Sequence, residues 1–155
     1  MHDDERYDVT PMDGVAFVRS LDPDNSMPMA APWTFRIEHV ERARIRARAT
    51  PSALHENPFG VVQGGFAATV LDIALGLVTI TLMDDPSKTM AATTDLIVRY
   101  FTPVVASTGS LNIRAHIVNQ QGRSVLAEAF LEDDAGLKYA YAQSNCVIAN
   151  RLTSG

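Results

Sequence analysis

The chain has 155 residues, of which 46% are hydrophobic and 20% are charged, a balance typical of one globular domain with a substantial core. Its formal net charge of −5 disfavours nucleic acid as a default ligand. The single cysteine, Cys146, excludes an internal disulfide framework, and no cysteine or histidine spacing predicts a metal site.

We expect the domain to occupy residues 33–150. Residues 1–32 are expected to form an N-terminal segment that leads into it. Met1 to Glu5 are mainly acidic and include no apolar segment, so we expect no secretory signal and a cytoplasmic location. Thr10 as N-cap and Pro11 in the first turn predict a short helix that ends near Leu21.

Residues 33–49 alternate between apolar and polar side chains, which predicts two strands or one long bent strand. Three side chains are expected to share one face, namely Phe35, Ile37 and His39. Arginines at 44, 46 and 48 are expected to point the other way. Such a row either holds phosphates of a large anionic ligand or faces solvent, and the second is the more common use.

A long apolar segment follows, and between Val61 and Met83 its only ionisable side chain is Asp72. The segment is too long for one strand and has the length of a helix. Gly64 and Gly65 predict a helix start where backbone approaches another group closely. Bulky residues form two stripes along this helix, and small or polar residues form a third seam: Gly65, Ala68, Thr69, Asp72, Gly76 and Thr79.

Two structural alternatives compete with a functional interpretation of this helix. A membrane span is disfavoured because a central Asp72 costs about 2.5–3.5 kcal/mol on insertion and the flanks lack Lys or Arg anchors. A core helix whose Asp72 merely bonds a neighbour is the other alternative. Buried carboxylates are rare unless they are paired or functional. The small seam would leave room for a substrate or a second backbone.

Four strand-like runs separated by short turns follow the helix, and they predict antiparallel neighbours. The runs are Thr89 to Phe101, Ser110 to Asn119, Arg123 to Glu132 and Leu137 to Ala149. The predicted fold class is therefore α+β, with a curved antiparallel sheet of five or six strands wrapped around one long apolar helix.

The spacing of Asn57, Gln63, Gly64, Gly65 and Asp72 resembles that of the hotdog-fold acyl-CoA thioesterases of the phenylacetic-acid-degradation type. The resemblance extends over about residues 35–149. That family has an Asn, a His six residues later, two glycines, and an Asp nine residues after the His. On the strand after the helix, Thr93 stands where the family carries Ser or Thr.

Gln63 departs from this pattern because many members have His at its place. A hotdog thioesterase branch that acts on hydroxybenzoyl-CoA is known to use a Gln near the thioester. A side-chain amide donates a hydrogen bond to a carbonyl or a water, but it cannot titrate. The substitution therefore removes a possible acid or base and keeps a possible donor.

Helix geometry predicts a site shared by two chains. Gln63 and Asp72 are nine residues apart, which is roughly 13 Å along a helix axis. A thioester carbonyl lies about 3 Å from its donors and almost as close to the attacking group. Two antiparallel copies of the helix would meet this requirement, so we expect a homodimer. Members of the family are built this way, commonly as dimers of dimers.

The resemblance implies hydrolysis of an acyl- or aroyl-CoA thioester. Backbone N–H groups of Gly64 or Gly65 would stabilise the oxyanion, and Asp72 would act as general base or as nucleophile. Asn57 either orients the water or carbonyl or caps the approach to the helix. Thr93 either holds the water near Asp72 or pairs within its strand. Coenzyme A is part of the substrate, so no separate cofactor is expected.

Other features of the sequence are weaker guides to function. Arg123, in a turn, is a candidate contact for the nucleotide phosphates of coenzyme A. The absence of a Gly-x-Ser-x-Gly elbow removes the anchor of a serine-hydrolase triad. Nearby aromatics accept an aryl ring or a medium alkyl chain alike: Phe59, Phe66 and Phe101. A non-catalytic acyl-CoA sensor and a hotdog hydratase remain alternatives, although the second would need a histidine at the helix start.

Overall fold

An antiparallel sheet curls around one long helix in the computed structural model, which describes residues 12–21 and 26–152. The two α-helices are α1 (Gly14–Ser20) and α2 (Gly64–Ile80). The strands are β1 (Arg36–Glu41), β2 (Arg44–Ala49), β3 (Thr89–Thr93), β4 (Ile97–Tyr100), β5 (Leu111–Gln121), β6 (Ser124–Glu132) and β7 (Lys138–Asn150). The predicted α+β hotdog architecture is confirmed.

The sheet runs in the order β1-β2-β5-β6-β7-β3. β4 also pairs with β7, on the same side of that strand as β3. The run predicted as one strand, Thr89 to Phe101, is therefore two strands. Between them, the backbone N–H of Asn145 and its side-chain amide both donate to the Asp95 carboxylate, at 2.9 and 2.7 Å. These bonds hold the pKa of Asp95 below its ordinary value. Asn145 thus binds both carboxylate oxygens of Asp95 and ties the break between β3 and β4 to β7.

Residues 33–49 form two strands, and a bulge in β1 reverses their alternation. The register of β1 against β2 shifts between Ile37 and His39. Val40 is consequently buried and His39 is exposed, so the prediction that His39 shares the inner face is wrong. In β2 the alternation is regular: the side chains at 45, 47 and 49 are buried, and those at 44, 46 and 48 point outward.

The core lies between α2 and the concave face of the sheet. Large side chains of α2, among them Phe66, Leu71 and Leu75, pack against inward residues of β2, β5 and β6. Each such burial contributes about 1.5–3 kcal/mol relative to exposure. Cys146 is only 2% exposed and packs with Leu82 and Val125 near the end of α2.

The seam of small residues on α2 stays open in the single chain. Gly65 is exposed, and Asp72 and Gly76 are half-buried. Thr79, which was predicted to belong to this seam, is instead buried, and its hydroxyl donates to the carbonyl of Leu75 at 2.9 Å. The helix therefore buries two of its three predicted faces, and no described element of the chain covers the third.

Helix α1 is fixed to the C-terminal end of α2. It begins at Gly14 with Asp13 as N-cap, later than the predicted start; Thr10 and Pro11 lie outside the described residues. The N–H of Gly14 donates to the carbonyl of Met83 at 2.8 Å. An added Cβ at Gly14 would lie 1.8 Å from the carbonyl oxygen of Ile80, so this contact requires glycine. No helix in the described residues is long and apolar enough to cross a membrane.

The two edges of the sheet differ in chemistry. The β1 edge carries Arg36, Glu38 and Glu41, and the guanidinium of Arg19 in α1 donates to the carbonyl of Val40 at 2.8 Å. The β3 edge has the sequence Thr-Met-Ala-Ala-Thr, with no charged side chain, and it is partly exposed.

Candidate active site

The loop before α2 is shaped by Asn57. Its side-chain oxygen accepts the backbone N–H groups of Phe59 and Val61, at 2.9 and 3.3 Å. Gly60 completes the turn with a φ of +73°, a conformation that favours glycine. Asn57 therefore shapes the loop that approaches α2, which is one of the two roles that the sequence left open. These hydrogen bonds use its side-chain oxygen and not its NH₂ group.

Helix α2 begins with two unsatisfied donors. Gln63 is the N-cap residue, and its side chain makes no capping hydrogen bond. Among the residues that the structure describes, no acceptor binds the N–H of Gly64 or that of Gly65. The first N–H groups of a helix carry partial positive charge. This end of α2 is consequently able to bind a carbonyl oxygen that gains negative charge.

Tyr100, which no sequence motif indicated, packs directly on the start of α2. Its hydroxyl donates to the carbonyl of Gly64 at 3.0 Å. An added Cβ at Gly64 would lie 3.1 Å from the Tyr100 ring, whereas one at Gly65 would meet no atom within 4 Å. Crowding within the chain thus explains Gly64 but not Gly65. The paired glycines were the available signal that some group approaches here.

A cleft of about 370 Å³ opens beside Gly64. Asn57, Gln63, Gly64 and Thr102 are among the residues that contribute its polar groups. Its other walls are mainly apolar and aromatic, and they include Val62, Phe66, Tyr100, Phe101, Pro103, Val104 and Tyr139. Phe66 and Phe101, two of the three aromatics named as candidate acyl-group contacts, line this cleft, and their contact with an acyl group stays a prediction. Phe59 does not line the cleft and is 89% exposed.

The acid of the predicted site lies farther along the same helix. Asp72 is half-buried, and its Oδ1 accepts a hydrogen bond from the hydroxyl of Thr93 at 3.1 Å. Thr93 is the last residue of β3. From Gly64 to Asp72 there are eight residues of continuous helix, a rise of about 12 Å.

The structure therefore gathers the predicted site residues into two groups on one chain. Asn57, Gln63 and the glycines form the first group, and Asp72 with Thr93 forms the second. Arg123 belongs to neither: it is exposed in the turn between β5 and β6, next to the strand start at Ser124. Val125 packs on Leu82, so this turn lies at the opposite end of α2 from Gly64.

His55, close in sequence to Asn57, is engaged by the protein itself. Its Nδ1 accepts the N–H of Ser52 at 2.9 Å, and its Nε2 lies 2.8 Å from the carbonyl oxygen of Pro32. A carbonyl only accepts, so Nε2 carries the proton. The ring stacks on Trp33, and the His55 carbonyl accepts the N–H of Gln63 at 2.7 Å. His55 thus fixes the start of α2.

Comparison with known proteins identifies the family. The family model described as the thioesterase superfamily matches residues 59–140, a segment that contains both groups of site residues except Asn57. The chain belongs to the thioesterase superfamily. The predicted identification as a hotdog-fold thioesterase enzyme is thereby confirmed. No curated protein matches this thioesterase in sequence.

Several solved structures share the fold of this thioesterase. A phenylacetic acid degradation-related protein from Ralstonia eutropha has a TM-score of 0.74 and 21% identity, over 86% of this chain and 98% of its own. A mutant of a thioesterase from Staphylococcus aureus has a TM-score of 0.73 and 15% identity, over 79% and 98%. A Streptococcus mutans protein bound to acetyl CoA has a TM-score of 0.66 and 18% identity, over 77% and 91%.

Proposed function

We propose that this thioesterase hydrolyses an acyl- or aroyl-CoA thioester to the free acid and coenzyme A, at a site shared by two copies of the chain. One observation carries the proposal. The free N–H groups of Gly64 and Gly65 and the acid held by Thr93 lie on the same helix, about 12 Å apart. A thioester carbonyl needs both within about 3 Å. Two similar structures, from Streptococcus mutans and Streptococcus pneumoniae, contain acetyl CoA and coenzyme A, which supports this class of substrate.

The partner copy would pair through β3. This strand presents an uncharged, partly exposed edge next to the open seam of α2. An unprotected edge of this kind invites another strand. Antiparallel pairing of two β3 strands about a two-fold axis would extend the sheet across both copies. It would also bring the glycine end of one α2 toward Asp72 of the other, and two such dimers could associate further into a tetramer.

Within the shared site, each group would have a distinct role. The N–H groups of Gly64 and Gly65 stabilise the oxyanion, and Gln63 donates its side-chain amide to the carbonyl or the water. Asp72 removes a proton from water, whose oxygen then bonds to the carbonyl carbon as the C–S bond breaks and the thiolate takes up the proton. Direct attack by Asp72 to form a mixed anhydride remains the second route. Thr93 holds one oxygen of Asp72, and Asn57 orients the water or carbonyl through its NH₂ group.

Arg123 would serve the substrate bound mainly by the other copy. Because it lies at the opposite end of α2 from Gly64, an antiparallel dimer would place it near the glycine end of its partner. The position is exposed and cationic, so it could meet the nucleotide phosphates of coenzyme A. Coenzyme A would enter as part of the substrate, without a separate cofactor.

Thiol release from a panel of acyl- and aroyl-CoA thioesters tests the chemistry. We expect wild type to release free thiol and Asp72→Asn to lose about 10²–10⁴-fold in kcat, the range for a positioned base. Binding of a non-hydrolysable CoA thioether, measured by calorimetry, should persist in this variant. Tight binding by wild type without release from any panel member would overturn the proposal in favour of a non-catalytic acyl-CoA binding protein.

Complementation tests whether the site is shared. Asp72→Asn and Gly65→Pro damage different groups, so a mixed dimer would contain one site with both defects and one intact site. Co-expressed in equal amounts, the two inactive variants should recover roughly a quarter of wild-type activity by random pairing of a symmetric dimer. No recovery in verified mixed dimers would show that each chain carries its own complete site.

A further inference from the structure

A cleft of about 420 Å³ opens on the outer face of the sheet, which is the face turned away from α2. Strands β1, β2 and β5 supply its walls. Five of the lining residues are arginines or histidines: His39, Arg44, Arg46, Arg114 and His116. The volume lies within the range of small-molecule sites. The proposed thioester hydrolysis takes place at α2 and β3, on the other face of the sheet.

The strand register arranges the charged side chains in two rows across the sheet. The first row has three members: His39, Arg46 and Arg114. The second row, about 7 Å away along the strands, also has three: Glu41, Arg44 and His116. Like charges directly opposite one another destabilise a sheet. Arg46 lies directly opposite Arg114, and an anion bound between them would remove this repulsion.

Neighbouring carboxylates already bind the part of the cleft that β5 supplies. Glu132 contacts the Arg114 guanidinium through both of its oxygens, at 2.7 and 2.8 Å. The carboxylate of Glu128 accepts from Nε2 of His116 at 2.9 Å. These pairs fix the positions of the two β5 side chains and neutralise the charge of Arg114.

Arg44 and Arg46 on β2, by contrast, keep their charge without compensation. Within the part of the chain that the structure describes, neither guanidinium forms an ion pair or a hydrogen bond. Glu41, the single carboxylate among the described residues that line the cleft, lies 3.8 Å from Nε2 of His39 and forms no ion pair with Arg44. The cleft therefore presents two free positive charges on a chain whose net charge is −5.

We propose that this cleft binds a phosphate monoester group between the guanidinium groups of Arg44 and Arg46. Such a group has a charge of about −1.5 to −2 at pH 7 and three acceptor oxygens. It therefore matches two free guanidinium groups, whereas a monocarboxylate would compensate only one. The planar donors of arginine also suit phosphate oxygens. Arg114 has further N–H groups that Glu132 does not use, and these can contact a third oxygen.

An NMR titration of the full chain with inorganic phosphate, at an ionic strength held constant with chloride, tests this site. We expect saturable shifts of backbone amides in β2 and β5 beside the cleft. Arg46→Gln should weaken phosphate affinity at least about tenfold, the effect of losing one charge-assisted hydrogen bond.

Arg48→Gln is the matched control, because it removes the same charge from the next outward position of β2. The Arg48 guanidinium donates to Asp134 at 2.9 Å, and the residue does not line the cleft. Phosphate affinity should therefore stay unchanged in this variant. Equal affinities in Arg46→Gln and Arg48→Gln, or no saturable shift in wild type, would overturn the inference.

Competition against bound phosphate distinguishes two sources of the monoester. Displacement by coenzyme A and not by dephospho-coenzyme A would assign the cleft to the 3′-phosphate of the proposed substrate. Displacement by neither, with phosphate binding intact, would assign it to a separate phosphorylated molecule. Equal displacement by both would show that a pyrophosphate is sufficient and would overturn the monoester. Because the titration involves no hydrolysis, its outcome does not depend on whether the chain releases thiol.

Discussion

The two edges of the sheet differ in how they are protected against pairing with another strand. The β1 edge is protected by charged side chains, by a bulge at Ile37 and His39, and by a contact from Arg19 of α1. The β3 edge, which ends at Thr93, has no charge and no covering element among the described residues. Charges and bulges are the common means by which proteins prevent edge-to-edge pairing. The contrast indicates that pairing is prevented at one edge and permitted at the other.

The permitted edge also carries the contact to the proposed catalytic acid. Thr93, which holds Asp72, is the terminal residue of β3, so a strand added there would meet the acid directly. The edge that recruits a second chain and the edge that presents the acid would thus be the same structure.

The largest effect is expected from Ala91→Pro on β3. Thr94 donates to Asn145, and the Lys88 carbonyl accepts from Arg151, so the even-numbered positions of this segment face β7 and the N–H of Ala91 points to the free edge. Proline at position 91 removes an N–H that points to the free edge, and it leaves the hydrogen bonds between β3 and β7 intact. We expect a monomer by light scattering and a loss of thioesterase activity of more than about 10²-fold, because a shared site needs both chains.

Two controls accompany this variant. Ala91→Ser keeps the N–H and should remain a dimer with activity. Glu38→Val, on the protected β1 edge, should change stability by no more than about 0.5 kcal/mol and leave the dimer intact. A fully active monomeric Ala91→Pro protein would show that the β3 edge has no part in the site.

The next effect is expected at Gly65, on the glycine end that the partner's acid would face. Gly65→Pro deletes one N–H in the first turn, where helices tolerate proline, and should lower kcat about 10²–10³-fold. Gly65→Ala retains the N–H and adds a methyl group to open space in the single chain. Equal losses in the two variants, with unchanged circular dichroism, would mean that Gly65 provides space and not a donor.

Thr93→Val tests the hydrogen bond between the β3 edge and Asp72. It removes the 3.1 Å hydrogen bond to Asp72 with little change in side-chain volume. Hydrogen bonds to charged groups contribute about 1.5–3 kcal/mol, so kcat should fall at least about tenfold while the dimer persists. Thr93→Ser, which keeps a hydroxyl, should retain most of the activity. Unchanged kcat in the valine variant would remove Thr93 from the site.

The smallest effect concerns Asp85, in the turn that leads into β3. Hydrogen bonds from the Ser87 side chain, followed by Lys88, lower its pKa from 3.8 to about 2. Because the folded pKa is depressed, the stabilisation is present above pH 3.8 and is lost as the pH falls toward 2. Wild type should therefore melt slightly above Asp85→Asn at pH 6, and the two should converge near pH 2. A carboxyl titration by NMR with a midpoint near 3.8 would contradict the prediction.

Helix and strand patterns were sufficient to predict most of the fold. The apolar segment around Asp72 predicted α2, and alternation predicted the four later runs of strand. The sequence did not predict the break between β3 and β4, because it depends on Asn145, some fifty residues away. It also missed the bulge that buries Val40, since a one-residue register shift leaves no local signal.

The candidate site was predictable only where its residues are close together in the sequence. The motif identified Asn57, the glycines and Asp72, and helix geometry alone separated them into two groups. Tyr100 was missed because its contact with Gly64 joins positions 36 residues apart, and aromatic residues at strand ends are common.

The burial of Cys146 has a practical consequence for measuring this enzyme. Its sulfur is the only thiol in the chain, and it is enclosed between β6, β7 and the end of α2. Reagents that colour on reaction with free thiols should therefore register released coenzyme A without a background from native protein. The same reagents, added without substrate, would report the fraction of molecules that have opened, so one chemistry can follow both turnover and unfolding.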